Sequence, residues 1–105
     1  MPTVEQIDTW VLAGKQVGAT ASWPEGEGTC WTSVAVQLWA GVFLVYIDEV
    51  LESKMASEDY ERDELVGLES LKAVREFIAS KARVNYSDLS PRKGQRIFNP
   101  TLYQP

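Results

Sequence analysis

The sequence of 105 residues contains no histidine and only one cysteine, Cys30. Without histidine, the chain lacks the most common general base, the most common zinc ligand and the usual pH switch. A single cysteine excludes an internal disulfide and a paired-cysteine site. Cys30 lies in an apolar run that raises a thiol pKa, so we interpret it as a small buried hydrophobic residue rather than a nucleophile. We expect no cofactor, no metal and no catalytic residue.

Positive charge is scarce in the first half of the chain. The formal net charge is −5, and Lys15 is the only basic residue before Lys54. Negative charge disfavours nonspecific binding to nucleic acids and anionic membranes, and it attracts a basic protein. Nucleic-acid stacking on tryptophan needs positive charge nearby. We therefore interpret most of the tryptophans as core residues and one or two as interface anchors at strand ends: Trp10, Trp23, Trp31 and Trp39.

Residues 28–47 form a run of twenty residues without a charge. About 20 apolar residues are enough to cross a membrane. Polar residues interrupt this run, however, and acids flank it on both sides, with no basic residue nearby to orient a membrane helix. We predict two central strands of one sheet instead. Residues 42–50, in the second strand, are rich in β-branched and aromatic side chains, although their spacing also fits a helix.

A capped helix is predicted on either side of the strands. Thr3 and Gln6 have the spacing of a capping box, which predicts a helix over residues 4–13. Ser70 is a good N-cap for a second amphipathic helix that runs to about residue 83. The N-terminal residues lack the basic and apolar regions of a signal peptide, so we expect a cytoplasmic protein.

The remaining segments complete the fold prediction. Alternating apolar positions predict a strand over residues 15–23, joined by a Pro/Gly-rich turn to a strand over 29–39. Residues 59–68 alternate as well and predict a charged edge strand. We predict one α+β domain over residues 1–105, with an antiparallel sheet of about four strands and an N-terminal and a C-terminal helix packed on one face. Residues 85–105 would form a C-terminal strap.

Carboxylates are concentrated directly after the apolar run. Eight acids lie within seventeen residues, against only two bases. The acids are Asp48, Glu49, Glu52, Glu58, Asp59, Glu61, Asp63 and Glu64. A solvated strand edge is the simplest interpretation, and a docking surface for a basic partner is the next. A pair such as Asp48 and Glu61 is a third alternative, as an acid and base or as a magnesium site.

The C-terminal third has the opposite charge. Seven basic residues face two acids between residues 72 and 96, and we expect them to pair internally with the acidic segment rather than to bind RNA. This third also carries a resemblance, in residues 70–78 (SLKAVREFI) and 89–100 (LSPRKGQRIFNP). These residues resemble the small immunity proteins of bacterial contact-dependent inhibition and other polymorphic toxin systems, many of which are acidic α+β domains of similar size.

The resemblance implies a protein that binds the C-terminal domain of one cognate toxin and blocks its active site. Such toxins are often basic nucleases, including enzymes that cut transfer RNA, and an acidic surface then mimics phosphate. The eight acids are the predicted toxin-binding residues. The alternatives are an inhibitor or nucleic-acid mimic encoded by a phage or mobile element, another protein-interaction module, or an enzyme based on carboxylates.

Overall fold

The computed structural model of the protein describes residues 3–26, 28–54 and 62–91. These residues form two α-helices, five strands and two short 3-10 helices. In chain order they are α1 (Val4–Leu12), β1 (Val17–Glu25), β2 (Gly28–Trp39), β3 (Val42–Leu51), a 3-10 helix (Glu52–Lys54), β4 (Arg62–Leu68), α2 (Leu71–Lys81), a 3-10 helix (Tyr86–Asp88) and β5 (Ser90–Pro91).

The strands form one antiparallel sheet in the order β4-β3-β2-β1-β5. The predicted α+β class is confirmed, with five strands rather than about four. The run of residues 28–47 provides β2 and most of β3, so residues 42–50 are a strand and not a helix. Both strands are central, which explains why apolar side chains occur on each of their faces.

A two-residue turn joins β2 to β3. Trp39 pairs with Val42, and the residues between them, Ala40 and Gly41, have φ angles of 51° and 82°. Positive φ at both central residues is the geometry of a type I′ turn, whose twist matches that of the flanking strands. Alanine is a poor residue for this conformation because its Cβ crowds the backbone.

Alternation along the strands separates two faces of the sheet. The larger core contains Val34 and Val36 of β2 with side chains from β1 and β3, and both helices pack on this side through Ile7 and Ile78. The predicted packing of both helices on one face is therefore confirmed. The second face carries a smaller cluster around Ala35 and Leu44, with Val42, Tyr46 and Leu65 against it.

Both helices begin at the predicted caps. The Thr3 hydroxyl accepts a hydrogen bond from the Gln6 amide, and the Gln6 side chain accepts one from the Thr3 amide. At α2, the Ser70 hydroxyl accepts a hydrogen bond from the Ala73 amide. These bonds satisfy amides that have no partner inside the helix, so each cap fixes the residue at which its helix starts.

After α2 the chain crosses back over the core to the far edge of the sheet. Leu89 is fully buried, and Ser90 and Pro91 then pair with Gly18 and Val17 of β1. The N-terminal part of the predicted strap thus supplies a fifth strand. Residues 92–105, the rest of that strap, lie outside the described residues.

Candidate functional site

The alternating strand directions bring several acidic segments to one end of the sheet. This end contains the β1–β2 turn, the last residues of β3 with the following 3-10 helix, and the start of β4. Its register is fixed by pairing of Glu25 with Gly28 and of Glu49 with Arg62. We call this region the acidic end. Residues 55–61, which carry the predicted site residues Glu58, Asp59 and Glu61, lie outside the described residues.

The first two predicted site residues, Asp48 and Glu49, belong to opposite faces of β3. Asp48 is only 7% exposed and lies on the second face, where the register pairs it with Asp63 of β4. Its backbone carbonyl accepts a hydrogen bond from the buried Thr32 hydroxyl at 3.1 Å. The Glu49 side chain is 14% exposed and lies on the helix-bearing face. Neither residue offers a freely accessible carboxylate, because neighbouring residues on each face of the sheet cover most of both side chains.

The next two described site residues are accessible. Glu52 is exposed on the 3-10 helix that follows β3. Glu64 of β4 has a side chain that is 49% exposed, and its carboxylate accepts a hydrogen bond from Arg62 Nε at 2.7 Å. This hydrogen bond lowers the pKa of Glu64, so the carboxylate stays charged. Of the described site residues, Glu52 and Glu64 can meet a partner without rearrangement.

An aromatic and cationic pair lies beside these acids. The Arg83 guanidinium lies 4.2 Å from the centre of the Trp23 ring, within cation–π range. The same Arg83 places Nε 3.6 Å from a carboxylate oxygen of Glu49. One of the predicted internal pairings between the basic C-terminal third and the acidic segment is therefore present. The Trp23 contact was missed, since sequence alone gives no sign of a pairing between residues so far apart.

Cys30 lies under this cluster, opposite Trp23 in the β1–β2 register. It is 2% exposed, and burial raises the pKa of its thiol. A hydrogen bond from the thiol to the Glu25 carboxylate and the negative charges of Glu25 and Glu49 raise this pKa further. A protonated, buried thiol is a poor nucleophile. The local chemistry therefore favours the interpretation of Cys30 as a packing residue.

A second polar cluster ties the two helices to the C-terminal segment. One Arg75 nitrogen donates to both carboxylate oxygens of Asp8, at 2.9 and 3.1 Å. The Tyr86 hydroxyl donates to the same carboxylate at 2.6 Å. Burial and the hydrogen bond to Asp8 raise the pKa of Tyr86. Because Asp8, Arg75 and Tyr86 are hydrogen-bonded to one another, we interpret this cluster as a contribution to stability rather than as a ligand site.

The tryptophans divide between core and surface. Trp10 packs against the larger core, whereas Trp23 and Trp31 are half-buried and Trp39, at the end of β2 opposite the acidic end, is 44% exposed. The core interpretation fits Trp10 best. Trp23 and Trp39 lie at strand ends, where an interface anchor was expected.

Within the described ranges, no group of three or more His, Cys, Asp or Glu side chains is arranged to hold a metal ion. Neither α-helix in this part of the chain is long and apolar enough to cross a membrane. The chain matches no protein-family model, no curated protein and no solved structure.

Proposed function

We propose that this protein neutralises a bacterial toxin by binding the toxin's C-terminal domain, a basic nuclease such as a tRNase, in the cytoplasm. The observation that carries the proposal is the acidic end. Glu25 of β1, Glu52 of the 3-10 helix after β3 and Glu64 of β4 lie there, and the acid-rich residues 55–61 follow that 3-10 helix in the sequence. The proposed contact surface consists of these carboxylates.

Clustered carboxylates suit an inhibitor of a nuclease. A nuclease presents a positive groove to the phosphates of its substrate, and a negative surface is attracted to the same groove. Charge complementarity of this kind raises the association rate and selects the partner more than it raises affinity. The salt bridge to Arg62 holds the Glu64 carboxylate in one orientation, which reduces the entropy lost on binding.

Affinity requires an anchor as well as charge, and the Trp23–Arg83 stack is the candidate. Tryptophan and arginine are the residue types most enriched among binding hot spots. The Arg83 side chain is 58% exposed and covers a half-buried Trp23 beside Glu49. A partner that docks on the acidic end would bury this stack, which supplies apolar contact next to the carboxylates.

A co-expression experiment tests the proposal. The first step is to look for a toxin-like reading frame directly upstream of the gene for this protein, and its product serves as the candidate toxin. We expect its expression alone to stop growth of the host and to degrade RNA or DNA. Co-expression with this protein should restore growth, and the purified pair should form a complex in which the nuclease is inactive.

Charge reversals locate the surface. Glu52→Lys combined with Glu64→Lys should weaken protection, because the two exposed carboxylates at the acidic end change sign. The matched control is Glu69→Lys combined with Glu76→Lys, which makes the same change in net charge at exposed positions after β4 and on α2. Equal protection by both double variants would refute the acidic-end surface. Failure of the wild-type protein to bind or protect would refute the proposed function itself.

A further inference from the structure

The two edges of the sheet differ in how they are protected. At one edge, β5 is two residues long and contains Pro91, which has no backbone N–H to donate. At the other edge, β4 has seven residues and no proline. Of the residues that the structure describes, none pairs with the outer side of β4. An edge strand of this length presents a row of backbone N–H and C=O groups that can pair with another strand.

The turn between β2 and β3 determines which backbone groups β4 directs outward. In a two-residue hairpin the flanking residues, here Trp39 and Val42, exchange both hydrogen bonds. Bonding direction alternates along each strand, so Phe43 and the following odd-numbered residues of β3 bond to β4. Their β4 partners are the even-numbered residues. The outward N–H and C=O groups of β4 therefore belong to Asp63, Leu65 and Gly67.

These three residues are centred on Leu65, and this symmetry suits a two-fold interface. We propose that a second copy of this chain pairs with β4 in antiparallel register, with Leu65 opposite Leu65 of the second copy. Asp63 then lies opposite Gly67, and each of the three outward-facing pairs exchanges two hydrogen bonds. The result is one continuous sheet through both copies. The argument for this inference does not use the proposed function, although Glu64 belongs to both surfaces.

The charges of β4 are compatible with this register. Asp63 meets glycine, Glu64 meets Val66, and Arg62 meets Leu68, so no two like charges lie directly opposite one another. The Glu64 residues of the two copies are diagonal neighbours across the strand pair and do not lie directly opposite one another. Each Glu64 carboxylate also forms a salt bridge with Arg62 of the same copy at 2.7 Å. Shifting the register by two residues would lose the symmetry about Leu65 and with it one of the three outward pairs.

The apolar cluster on the second face continues across the same interface. Leu65 is half-buried at the margin of the cluster around Leu44 and Ala35. Pairing about Leu65 places the two Leu65 side chains next to each other and joins the clusters of the two copies. A partner strand of unrelated sequence would have to supply its own apolar residue at this position, whereas a second copy supplies it by symmetry.

Disulfide trapping tests the register. Glu64 lies opposite Val66 of the second copy in a non-hydrogen-bonded pair, whose Cα atoms are about 4.5 Å apart and within disulfide range. A mixture of the Glu64→Cys and Val66→Cys variants should form a disulfide-linked dimer under mild oxidation. Each variant alone should not, because cysteines at the same position are diagonal and about 7–8 Å apart. Wild-type protein controls for the buried Cys30.

Sedimentation velocity gives the second readout. The wild-type protein should shift from monomer to dimer as its concentration rises, and Leu65→Lys should remain a monomer, with folding checked by circular dichroism. Thr20→Lys, which adds the same charge at an exposed position on β1, should dimerise as the wild type does. A wild-type protein that is monomeric at every concentration, or cross-linking that is no stronger in the mixture than in either variant alone, would overturn the inference.

Discussion

The Asp8 carboxylate joins three parts of the chain, and removal of the Tyr86 hydroxyl measures how much this junction stabilises the fold. Tyr86 is buried and donates to Asp8 at 2.6 Å, while Arg75 donates to both oxygens of the same carboxylate. Tyr86→Phe deletes one hydrogen bond and leaves the ring in place. Asp8→Asn keeps the shape of the acceptor and removes its charge.

The expected cost follows from the chemistry of the bond. A hydrogen bond to a charged group contributes about 1.5–3 kcal/mol. The Asp8 side chain is 25% exposed and retains Arg75, so we expect about 1.5 kcal/mol for Tyr86→Phe, at the low end of that range. For a domain of this size the melting temperature should fall by roughly 6–12 °C. The double variant should cost less than the sum of the single variants by about 1 kcal/mol, since Asp8→Asn removes the charge that strengthens the bond that Tyr86→Phe deletes.

The pH dependence has a definite sign. Because the folded state raises the pKa of Tyr86, the neutral phenol is favoured in the native protein. The stabilisation is fully present below the unfolded pKa of about 10 and is lost as the pH rises above it. The difference in unfolding free energy between wild type and Tyr86→Phe should therefore be constant near neutral pH and should shrink in alkaline solution.

Urea denaturation followed by circular dichroism, at a series of pH values, provides the measurement. The m-value should be the same for all variants, because the surface exposed on unfolding does not change. A cost below about 0.5 kcal/mol for Tyr86→Phe, or additive effects of the two substitutions, would refute the reasoning.

The remaining predictions concern the buried thiol, the β2–β3 turn and a helix cap. Cys30 should react with a disulfide reagent only as fast as the protein unfolds locally around it, because the thiol is buried and its pKa is raised. Complete labelling of the folded protein within the mixing time would contradict this. Ala40→Asn should raise the unfolding free energy by about 0.5–1 kcal/mol, since asparagine tolerates positive φ; a loss measured by urea denaturation would count against the turn geometry. Ser70→Ala should cost about 1 kcal/mol by removing the α2 cap, whereas Ser80→Ala, inside the same helix, should be nearly neutral in the same assay.

Local patterns were sufficient to predict most of the fold. The uncharged, apolar run of residues 28–47 indicated central strands buried on both faces, and the cap residues Thr3 and Ser70 marked the helix starts, because both signals depend on neighbouring residues alone. Ser90 and Pro91 carry no such signal. Their pairing with β1 depends on how the buried Leu89 anchors the preceding chain, so sequence reasoning did not find β5.

The candidate site was predictable only as a segment. Charge density marked the region after the apolar run, but the accessibility of each acid depends on strand position. Asp48 and Glu49 belong to β3, which lies between β4 and β2 in the sheet. Glu52 comes after the end of β3 and is exposed. The Asp8–Arg75–Tyr86 junction joins residues that are remote in sequence, and no local pattern indicates it.

The salt dependence of the proposed toxin binding tests the central claim most directly. Isothermal titration of the purified toxin domain with this protein, over a series of salt concentrations, should give an affinity that falls as salt rises, because screening weakens the attraction between exposed charges. Glu52→Lys with Glu64→Lys should lower the affinity and flatten this dependence, and the control Glu69→Lys with Glu76→Lys should do neither. An affinity that responds neither to salt nor to charge reversal at Glu52 and Glu64 would contradict recognition through the acidic end.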